Sequence, residues 1–385
     1  MKKHIFFFCA AAAVLGLFSC SKTAEAPEAV EAVPDGAITV RIGIDEASTK
    51  VAYNTTDFKD FQINQVQIFV FDAQGKLETD YFSSVLPSNS TSVTLATFTG
   101  DKTVYAVANH PREFMAKDYL LADFEEKMLS DLSENGATNL VMSGKNVISV
   151  SAYNPTGATG SEPQVLPIYL KHLASLVVLD KITVNFNRTS LTNASFEVKE
   201  IYLKNVVGKC RLGMDGNTST AQGPSLPYTL TDAQYSNADN WYNKITKQTS
   251  PTPPAVTYDA CNISCSNVSG GTGNVMNRCL VAYPNPTEDG TDSHADSFNP
   301  RHTRLVIKAH VTKTGVITPA EGIDTYYVFD LPKMAPNNIY QIANITITML
   351  GKDNDDKDDD LQQGRIKPTI TVDPWTGTSQ LNYEF

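Results

Sequence analysis

Four cysteines in the body of the chain are the side chains with the clearest potential for chemistry: Cys210, Cys261, Cys265 and Cys279. Thiolates can bind zinc, and thiols can form disulfides in an oxidising compartment. Three residues separate Cys261 from Cys265, but no second ligand pair follows nearby, which disfavours zinc. The sequence therefore favours disulfides or buried thiols, and four cysteines leave three pairings open.

The Asp-rich run 353–360 is a second candidate, because hard cations such as calcium take carboxylate oxygens. It lacks the glycine and the distal glutamate of an EF-hand loop, so a solvated loop between two late strands is favoured. The five histidines that follow residue 20 show no ligand spacing. Motifs of serine hydrolases, P-loop enzymes, HExxH proteases and dinucleotide enzymes are missing from the sequence. We therefore expect no enzyme activity, metal or cofactor.

Cys20 lies in a different context, at the end of an apolar run that follows Lys2 and Lys3. The run covers residues 5–18 and is shorter than the roughly twenty residues of a membrane-spanning helix. A charged start, a short apolar stretch and a small residue before the cut are typical of a secretory signal. Leu17-Phe18-Ser19-Cys20 matches a lipobox, whose cysteine receives diacylglycerol; the alternative is an ordinary signal with a chance cysteine. We expect residues 1–19 to be removed and Cys20 to carry the lipid.

Composition restricts the partners and the fold class. The formal net charge of −11 would repel the phosphates of a nucleic acid, so no such partner is expected. Only 19% of residues are charged, and Thr, Ser, Asn, Val and Tyr are plentiful, which favours strands and loops over helices. No later segment is apolar for long enough to span a bilayer, so acyl chains would hold the body at the outer membrane.

The chain divides into an acidic tether and two strand-rich domains. Residues 20–36 are small, acidic and interrupted by proline, which is typical of a linker. A second linker composition at 153–164 predicts domains over 37–160 and 161–385. The clearest helix is predicted over 113–132 from its apolar spacing. Residues 214–275 are mostly polar and predict a long irregular insertion.

The first strand is the best-defined element of the N-terminal domain. Ile38, Val40, Ile42 and Ile44 alternate with other residues, and this period of two predicts a strand with one buried face. Arg41 falls on the opposite face, where it can meet solvent. Many short strands separated by turn residues follow, which predicts β-sandwiches.

Several short segments, in order along almost the whole chain, resemble those of the Bacteroidetes fimbrillins, the type V pilin family. These segments follow the lipobox, the tether and the Arg-bearing strand. They are 68–75, 105–109, 142–144 (M-[ST]-G), 166–176, 338–342 and 372–375 (V-x-x-W). The resemblance implies an all-β fold with minor α content: two transthyretin-like β-sandwich domains, with one helix in the first.

The resemblance also implies a structural subunit of a cell-surface fimbria that supports adhesion. In this family a protease specific for Arg or Lys removes the first strand, and a C-terminal strand of a related subunit fills the groove. Carried over, Ile38, Val40, Ile42 and Ile44 form the removable strand, and Arg41, or alternatively Lys50, is the cleavage site. The donor region would contain Ile370, Val372, Trp375, Leu381, Tyr383 and Phe385.

A second hypothesis stays open at this stage. The chain could be a monomeric surface lipoprotein that binds a glycan or a host protein through the insertion 214–275, because long irregular insertions often carry surface function. The fimbrial hypothesis requires loss of the N-terminal strand and partners that are identical or related pilin subunits. The binding hypothesis requires that the lipid on Cys20 stays attached.

Overall fold

The structure is a computed structural model. It describes residues 33–44, 63–84, 91–111, 120–135, 139–154, 162–204, 206–212, 241–242, 259–266, 274–285, 303–355 and 371–374. Cys20 and Lys50 lie outside these residues, as do Ile370, Trp375, Leu381, Tyr383 and Phe385.

The described residues are mostly strands, as the sequence predicts, with one α-helix, α1 (Leu121–Lys127). The N-terminal half contains β1 (Gly36–Ile44), β2 (Val66–Phe71), β3 (Leu77–Ser83), β4 (Thr91–Thr97), β5 (Gly100–Ala108), β6 (Leu129–Asp131), β7 (Met142–Val150) and β8 (Gln164–His172). The C-terminal half contains β9 (Ser175–Val184), β10 (Ser195–Lys204), β11 (Val206–Val207), β12 (Lys209–Arg211), β13 (Trp241–Tyr242), β14 (Asp259–Ser266), β15 (Asn274–Ala282), β16 (Arg304–Thr312), β17 (Ile323–Asp330), β18 (Asn338–Ile342), β19 (Ile345–Ile347) and β20 (Thr371–Pro374). Within the described residues, 3₁₀ turns also lie at Leu132–Glu134 and Thr189–Leu191.

A seven-stranded sheet builds the N-terminal half, in the order β3-β2-β5-β7-β8-β1-β4. β7 and β8 share only two register pairs, Met142 with His172 and Ser143 with Lys171, so the sheet folds over at this corner. Buried side chains of β1 and β2 meet in one apolar cluster between the two layers. The confirmed β-sandwich thus has β3, β2, β5 and β7 in one layer and β8, β1 and β4 in the other.

β2 is buried on both faces, which explains why residues 68–71 are all apolar. Ile68 and Val70 point into the cluster that contains the side chains of β1. Phe69 and Phe71 point to the other side, where their rings lie 4.9 and 5.5 Å from the ring of Phe124 on α1. An alternating pattern would leave one face of the strand polar, so a run without alternation indicates two covered faces.

The C-terminal half is a second sandwich. One sheet has the order β14-β10-β16-β17, and the other has the order β15-β9-β18-β20, with β19 also pairing with β9. Apolar residues of β9, β10, β16, β17 and β18 belong to one core cluster, which also contains Phe69, Tyr105 and Phe124 from the N-terminal half. The two halves therefore share a continuous core.

The predicted boundary between residues 160 and 161 stays a prediction. Strand β8 follows it in sequence, yet β8 pairs with β1 and β7 of the N-terminal half. Strand β6 pairs with β12, so the two halves also exchange backbone hydrogen bonds.

The predicted helix over 113–132 is too long at its C-terminal end. Met128 has extended backbone angles, and the next residues form β6, because they pair with residues 209–211 of β12. Phe124, Met128 and Leu132 are nevertheless buried, as the apolar spacing indicates. Residues 112–119 lie outside the described part of the chain.

The stretch 214–275 is not wholly irregular, which corrects the prediction from sequence. Its described residues form β13, β14 and the start of β15, because β14 adds to the edge of β10 and β15 to that of β9. Cys261 and Cys265 lie in β14 and Cys279 in β15, and their pairing stays open. Cys210 is a buried thiol on β12, and burial raises its pKa.

Gly144 provides a test of the corner between β7 and β8. A Cβ atom at this position would lie 2.5 Å from the Tyr169 carbonyl oxygen and 2.8 Å from Cγ2 of Ile168. We expect Gly144→Ala to lower the free energy of unfolding by about 1–3 kcal/mol, because backbone must shift to admit the methyl group. Gly43→Ala is the matched control, since its Cβ would meet only the Tyr169 ring at 3.8 Å. Equal midpoints of urea unfolding for the two variants would contradict the close approach.

Glu134 joins a polar cluster beside the junction of the two halves. Its carboxylate lies 3.2 Å from Nε2 of His110 and accepts hydrogen bonds from the Ser130 hydroxyl at 2.9 Å and the Asp131 amide at 3.0 Å. Ser130 in turn contacts the Tyr283 hydroxyl of the C-terminal half at 2.7 Å. Burial acts to raise the pKa of Glu134, but the interactions with His110, Asp131 and Ser130 outweigh it and lower the pKa to about 2.

A carboxylate whose pKa is lower in the folded chain contributes stability above its unfolded pKa and loses it as the pH falls. We therefore expect Glu134→Gln to cost about 3 kcal/mol at pH 6, with the difference from the parent chain shrinking between pH 4.5 and pH 2. Urea unfolding at several pH values measures this, with Glu162→Gln at an exposed position as the control for losing one charge. A deficit for Glu134→Gln that stays constant down to pH 2 would contradict it.

Candidate assembly groove

Strand β1 lies inside the N-terminal sheet rather than at its edge. It pairs antiparallel with β4, from Gly36 opposite Thr97 to Ile42 opposite Thr91. On its other side it pairs in parallel with β8, from Ile38 opposite Gln164 to Ile44 opposite Leu170. Both edges of β1 are therefore hydrogen-bonded, and removing this strand would leave a slot between β4 and β8.

The buried face of β1 fills the core beneath that slot. Ile38, Val40 and Ile42 are each 0% exposed. They belong to an apolar cluster together with Ile63, which precedes β2, and with residues of β2, β4, β5, β7 and β8: Val66, Ile68, Val70, Val93, Leu95, Val104, Ala106, Ala108, Met142, Val150, Leu166, Ile168 and Leu170. The predicted strand with one buried face is confirmed. Ile44 belongs to β1, but its side chain is outside the description.

Arg41 lies on the outer face of β1, and its side chain is exposed. Its backbone, in contrast, is paired on both sides and is not accessible to a protease. Its backbone lies opposite Ser92 of β4 and Pro167 of β8. Proteases commonly hold a substrate as an extended strand, and that requires unoccupied backbone edges. A cut after Arg41 therefore requires β1 to open locally first.

Asp35 fixes the start of β1, a contact that the sequence did not indicate. The amide of Thr99 donates to Oδ1 of Asp35 at 2.8 Å, and the Thr99 hydroxyl donates to Oδ2 at 3.1 Å. The hydrogen bond from the Thr99 amide is the main reason that the pKa of Asp35 is lowered. The Tyr153 amide donates to the Asp35 carbonyl at 2.8 Å, so the N-terminal end of β1 is bound on both sides.

A buried ion pair lies beside the C-terminal end of β4. Nζ of Lys102 lies 2.7 Å from Oε1 of Glu78, and the two side chains are 3% and 11% exposed. The hydroxyl of Thr97 donates to Oε2 of Glu78 at 2.6 Å. Glu78 belongs to β3, Thr97 to β4 and Lys102 to β5, so one carboxylate links three strands.

The C-terminal candidate residues are only partly within the description. Strand β20 pairs with β18, and Val372 lies opposite Tyr340 in this ladder. The groove around β1 and the strand β20 therefore belong to different sheets. Val372, the one predicted donor residue that the structure describes, therefore lies in a different sheet from β1.

Neither a membrane helix nor a metal cluster occurs in the described part of the chain. No helix there is long and apolar enough to cross a bilayer. No group of three or more His, Cys, Asp or Glu side chains there could hold a metal ion.

The family comparison matches the half of the molecule that contains the groove. Residues 37–172 match the family model described as "Major fimbrial subunit protein (FimA)". The resemblance to the fimbrillins is confirmed. The match runs from β1 to the last residue of β8, so it covers every strand of the seven-stranded sheet.

Solved structures share the fold across most of this fimbrillin-like chain. A fimbrilin (fimA) from Porphyromonas gingivalis W83 is 16% identical with a TM-score of 0.54, covering 90% of this chain and 99% of that one. A candidate cell adhesion protein from Parabacteroides distasonis ATCC 8503 is 16% identical with a TM-score of 0.56, covering 88% and 99%. Another from Bacteroides eggerthii DSM 20697 is 17% identical with a TM-score of 0.53, covering 89% and 97%. No curated protein matches the sequence significantly.

Ile38 tests how much the groove depends on β1. We expect Ile38→Ala to lower the free energy of unfolding by about 2–5 kcal/mol, because it leaves a cavity in the core of the sandwich. Thr39→Ala, at the adjacent position on the outer face, should cost about 1 kcal/mol or less through its bond to Thr94. Chemical denaturation of the intact chains measures both, and an equal cost for the two would contradict the assigned burial.

Proposed function

We propose that the chain is a structural subunit of a cell-surface fimbria, exported as a lipoprotein through Cys20 and polymerised by replacement of β1. Its partners are identical or related pilin subunits, and the fibre supports adhesion. The match of residues 37–172 to a fimbrial subunit family supports the structural role, which requires no catalytic site. The single observation that carries the proposal is the position of β1 between β4 and β8.

The physical reason for this proposal is that β1 is hydrogen-bonded on both edges and is the first strand of the described residues. The edges of β4 and β8 that pair with β1 present backbone N–H and C=O groups, and another strand can form hydrogen bonds with the same groups. Loss of β1 would leave those groups unpaired on two strand edges and would uncover the pockets of Ile38, Val40 and Ile42. Unpaired edges and exposed apolar surface both drive association. A strand from another subunit with apolar residues at alternate positions would restore both.

Removal of β1 requires a cut between this strand and the rest of the fold. A protease specific for Arg or Lys could act after Arg41 or after Lys50. The cut after Arg41 would free residues 20–41 and leave Ile42 and Ile44 on the body. The cut after Lys50 would free the whole of β1. In either case the lipid on Cys20 leaves with the released segment, after it has brought the subunit to the outer membrane.

The donor strand is proposed to come from the C-terminal region of a neighbouring subunit. Leu381, Tyr383 and Phe385 alternate with polar residues, which is the pattern a strand with one buried face requires. Ile370, Val372 and Trp375 precede them in the same region. A subunit with such a region fits a position in the stalk or at the anchor of a fibre.

Limited proteolysis of the full mature chain tests the proposal. Cleavage by an Arg- or Lys-specific protease should yield a ladder of SDS-resistant oligomers on unheated gels. The reason is that the exchanged strand is hydrogen-bonded along both edges and has one buried face. Removing residues 381–385 should abolish the ladders, and combined Arg41→Ala and Lys50→Ala substitutions should prevent their formation. Arg188→Ala, which changes an exposed arginine, is the matched control and should polymerise as the parent does.

A cut chain that stays monomeric would contradict strand exchange. Retention of acylated Cys20 on the surface form, together with a binding activity in the 214–275 stretch, would favour the monomeric surface lipoprotein that binds a glycan or a host protein.

A further inference from the structure

Strand β4 depends on the strand that the proposed function removes. β4 lies at the end of the strand order, and in the described part of the sheet its ladder partner is β1. Departure of β1 would therefore break the backbone ladder of β4 from Thr91 to Thr97. An acceptor groove needs β4 to keep its place, because β4 forms one wall.

Several other contacts of β4 and the turn that follows it would leave with β1. The hydroxyl of Thr94 lies 2.9 Å from that of Thr39, which belongs to β1. Thr99 donates two hydrogen bonds to Asp35, just before β1. Both partners precede Arg41, so a cut at either candidate site removes them.

The contacts to Glu78 would stay. Its Oε2 accepts a hydrogen bond from the Thr97 hydroxyl at 2.6 Å and a longer one from the Phe98 amide at 3.4 Å. Its Oε1 lies 2.7 Å from Nζ of Lys102. Neither Glu78 nor Lys102 belongs to the released segment.

The burial of this group makes its hydrogen bonds strong and directional. A carboxylate taken out of water is costly unless an opposite charge and hydrogen bonds compensate it, and Lys102 supplies that charge. A hydrogen bond to an ionised acceptor is shorter and stronger than one between neutral groups. Glu78 thus ties the end of β4 to β3 and β5, two strands that do not contact β1 through backbone pairs.

We propose that Glu78, neutralised by Lys102, is a positioning residue that holds the end of β4 in place after β1 departs, so that the groove stays open for the incoming strand. This inference rests on the proposed function. Without the bond to Thr97, the apolar side chains Val93 and Leu95 would draw β4 towards the emptied core. A wall that is already in place lowers the ordering cost of binding.

Three substitutions on β4 separate this role from general stability. Thr97→Val removes the hydroxyl donor, keeps the shape of the side chain and leaves the Glu78–Lys102 pair intact. Thr97→Ser restores the hydroxyl. Thr94→Val is the matched control on the same strand, because its hydrogen bond to Thr39 is lost anyway when β1 leaves.

Each full mature chain is cut with an Arg- or Lys-specific protease, and release of the N-terminal fragment is recorded by mass spectrometry. Amide hydrogen exchange of residues 91–98 is then measured in cut and uncut chains, at a concentration too low for assembly.

In the uncut chains we expect similar protection for all four proteins. In the cut chains, Thr97→Val should exchange about tenfold faster or more, the change expected for one lost hydrogen bond to a charged group. At higher concentration it should also polymerise more slowly, while Thr97→Ser and Thr94→Val behave as the parent does.

Two results would overturn the inference while leaving strand exchange intact: parental exchange and assembly in cut Thr97→Val, or an equal rise in exchange before and after the cut. Failure of the parent chain to release the fragment would overturn the proposed function and this inference with it, and the mass spectrum distinguishes that case.

Discussion

The two backbone ladders of β1 are the interaction on which the N-terminal sandwich depends. One ladder joins β1 to β4 and the other joins it to β8, so β1 connects the outermost strand of its layer to the rest of the sheet. Its buried face supplies Ile38, Val40 and Ile42 to the core between the layers. A strand from another subunit would form the same bonds, because pairing with β4 and β8 requires only backbone groups. The pockets beneath require only apolar side chains at alternate positions. That exchangeability connects the fold to the proposed assembly.

The contacts that join the two halves do not involve β1, so the proposed replacement of β1 would be a local event. The core that contains Phe69, Tyr105 and Phe124 extends into the C-terminal half and lies on the side of β2 away from β1. The pairing of β6 with β12 and the contact between Ser130 and Tyr283 join the halves without involving β1. In the proposed fibre, these contacts would hold the two halves together while β1 is replaced.

The sequence predicted those parts whose cause is local. Alternation in residues 38–44 identified β1 and its buried face. The apolar run 68–71 does not alternate, and it lies in β2, whose two faces are both covered. The helix was placed correctly around Phe124 but extended too far, because the pairing of residues 129–131 with 209–211 is a long-range contact that helical spacing cannot indicate. The proposed role of β1 comes from the family resemblance, because alternation alone does not indicate it.

The polar contacts of the groove could not be predicted from the sequence, because no motif or spacing identifies these residues as partners. Glu and Lys residues are common in surface strands, so the sequence does not single out Glu78 and Lys102. Only the folded sheet brings the two together and buries them beside Thr97. Asp35 lies in a segment whose composition indicated a tether, yet its carboxylate is bound by Thr99. Side-chain networks across a folded sheet depend on register and closure, which follow from the whole fold.

The proposed assembly removes β1 at least as far as Arg41, so the intact mass of subunits from purified cell-surface fibres is the decisive measurement. Strand replacement predicts chains that begin at Ile42 or Val51, with no acyl group and no residues 20–41. Fibre subunits that retain acylated Cys20 and an uncut β1 would contradict it.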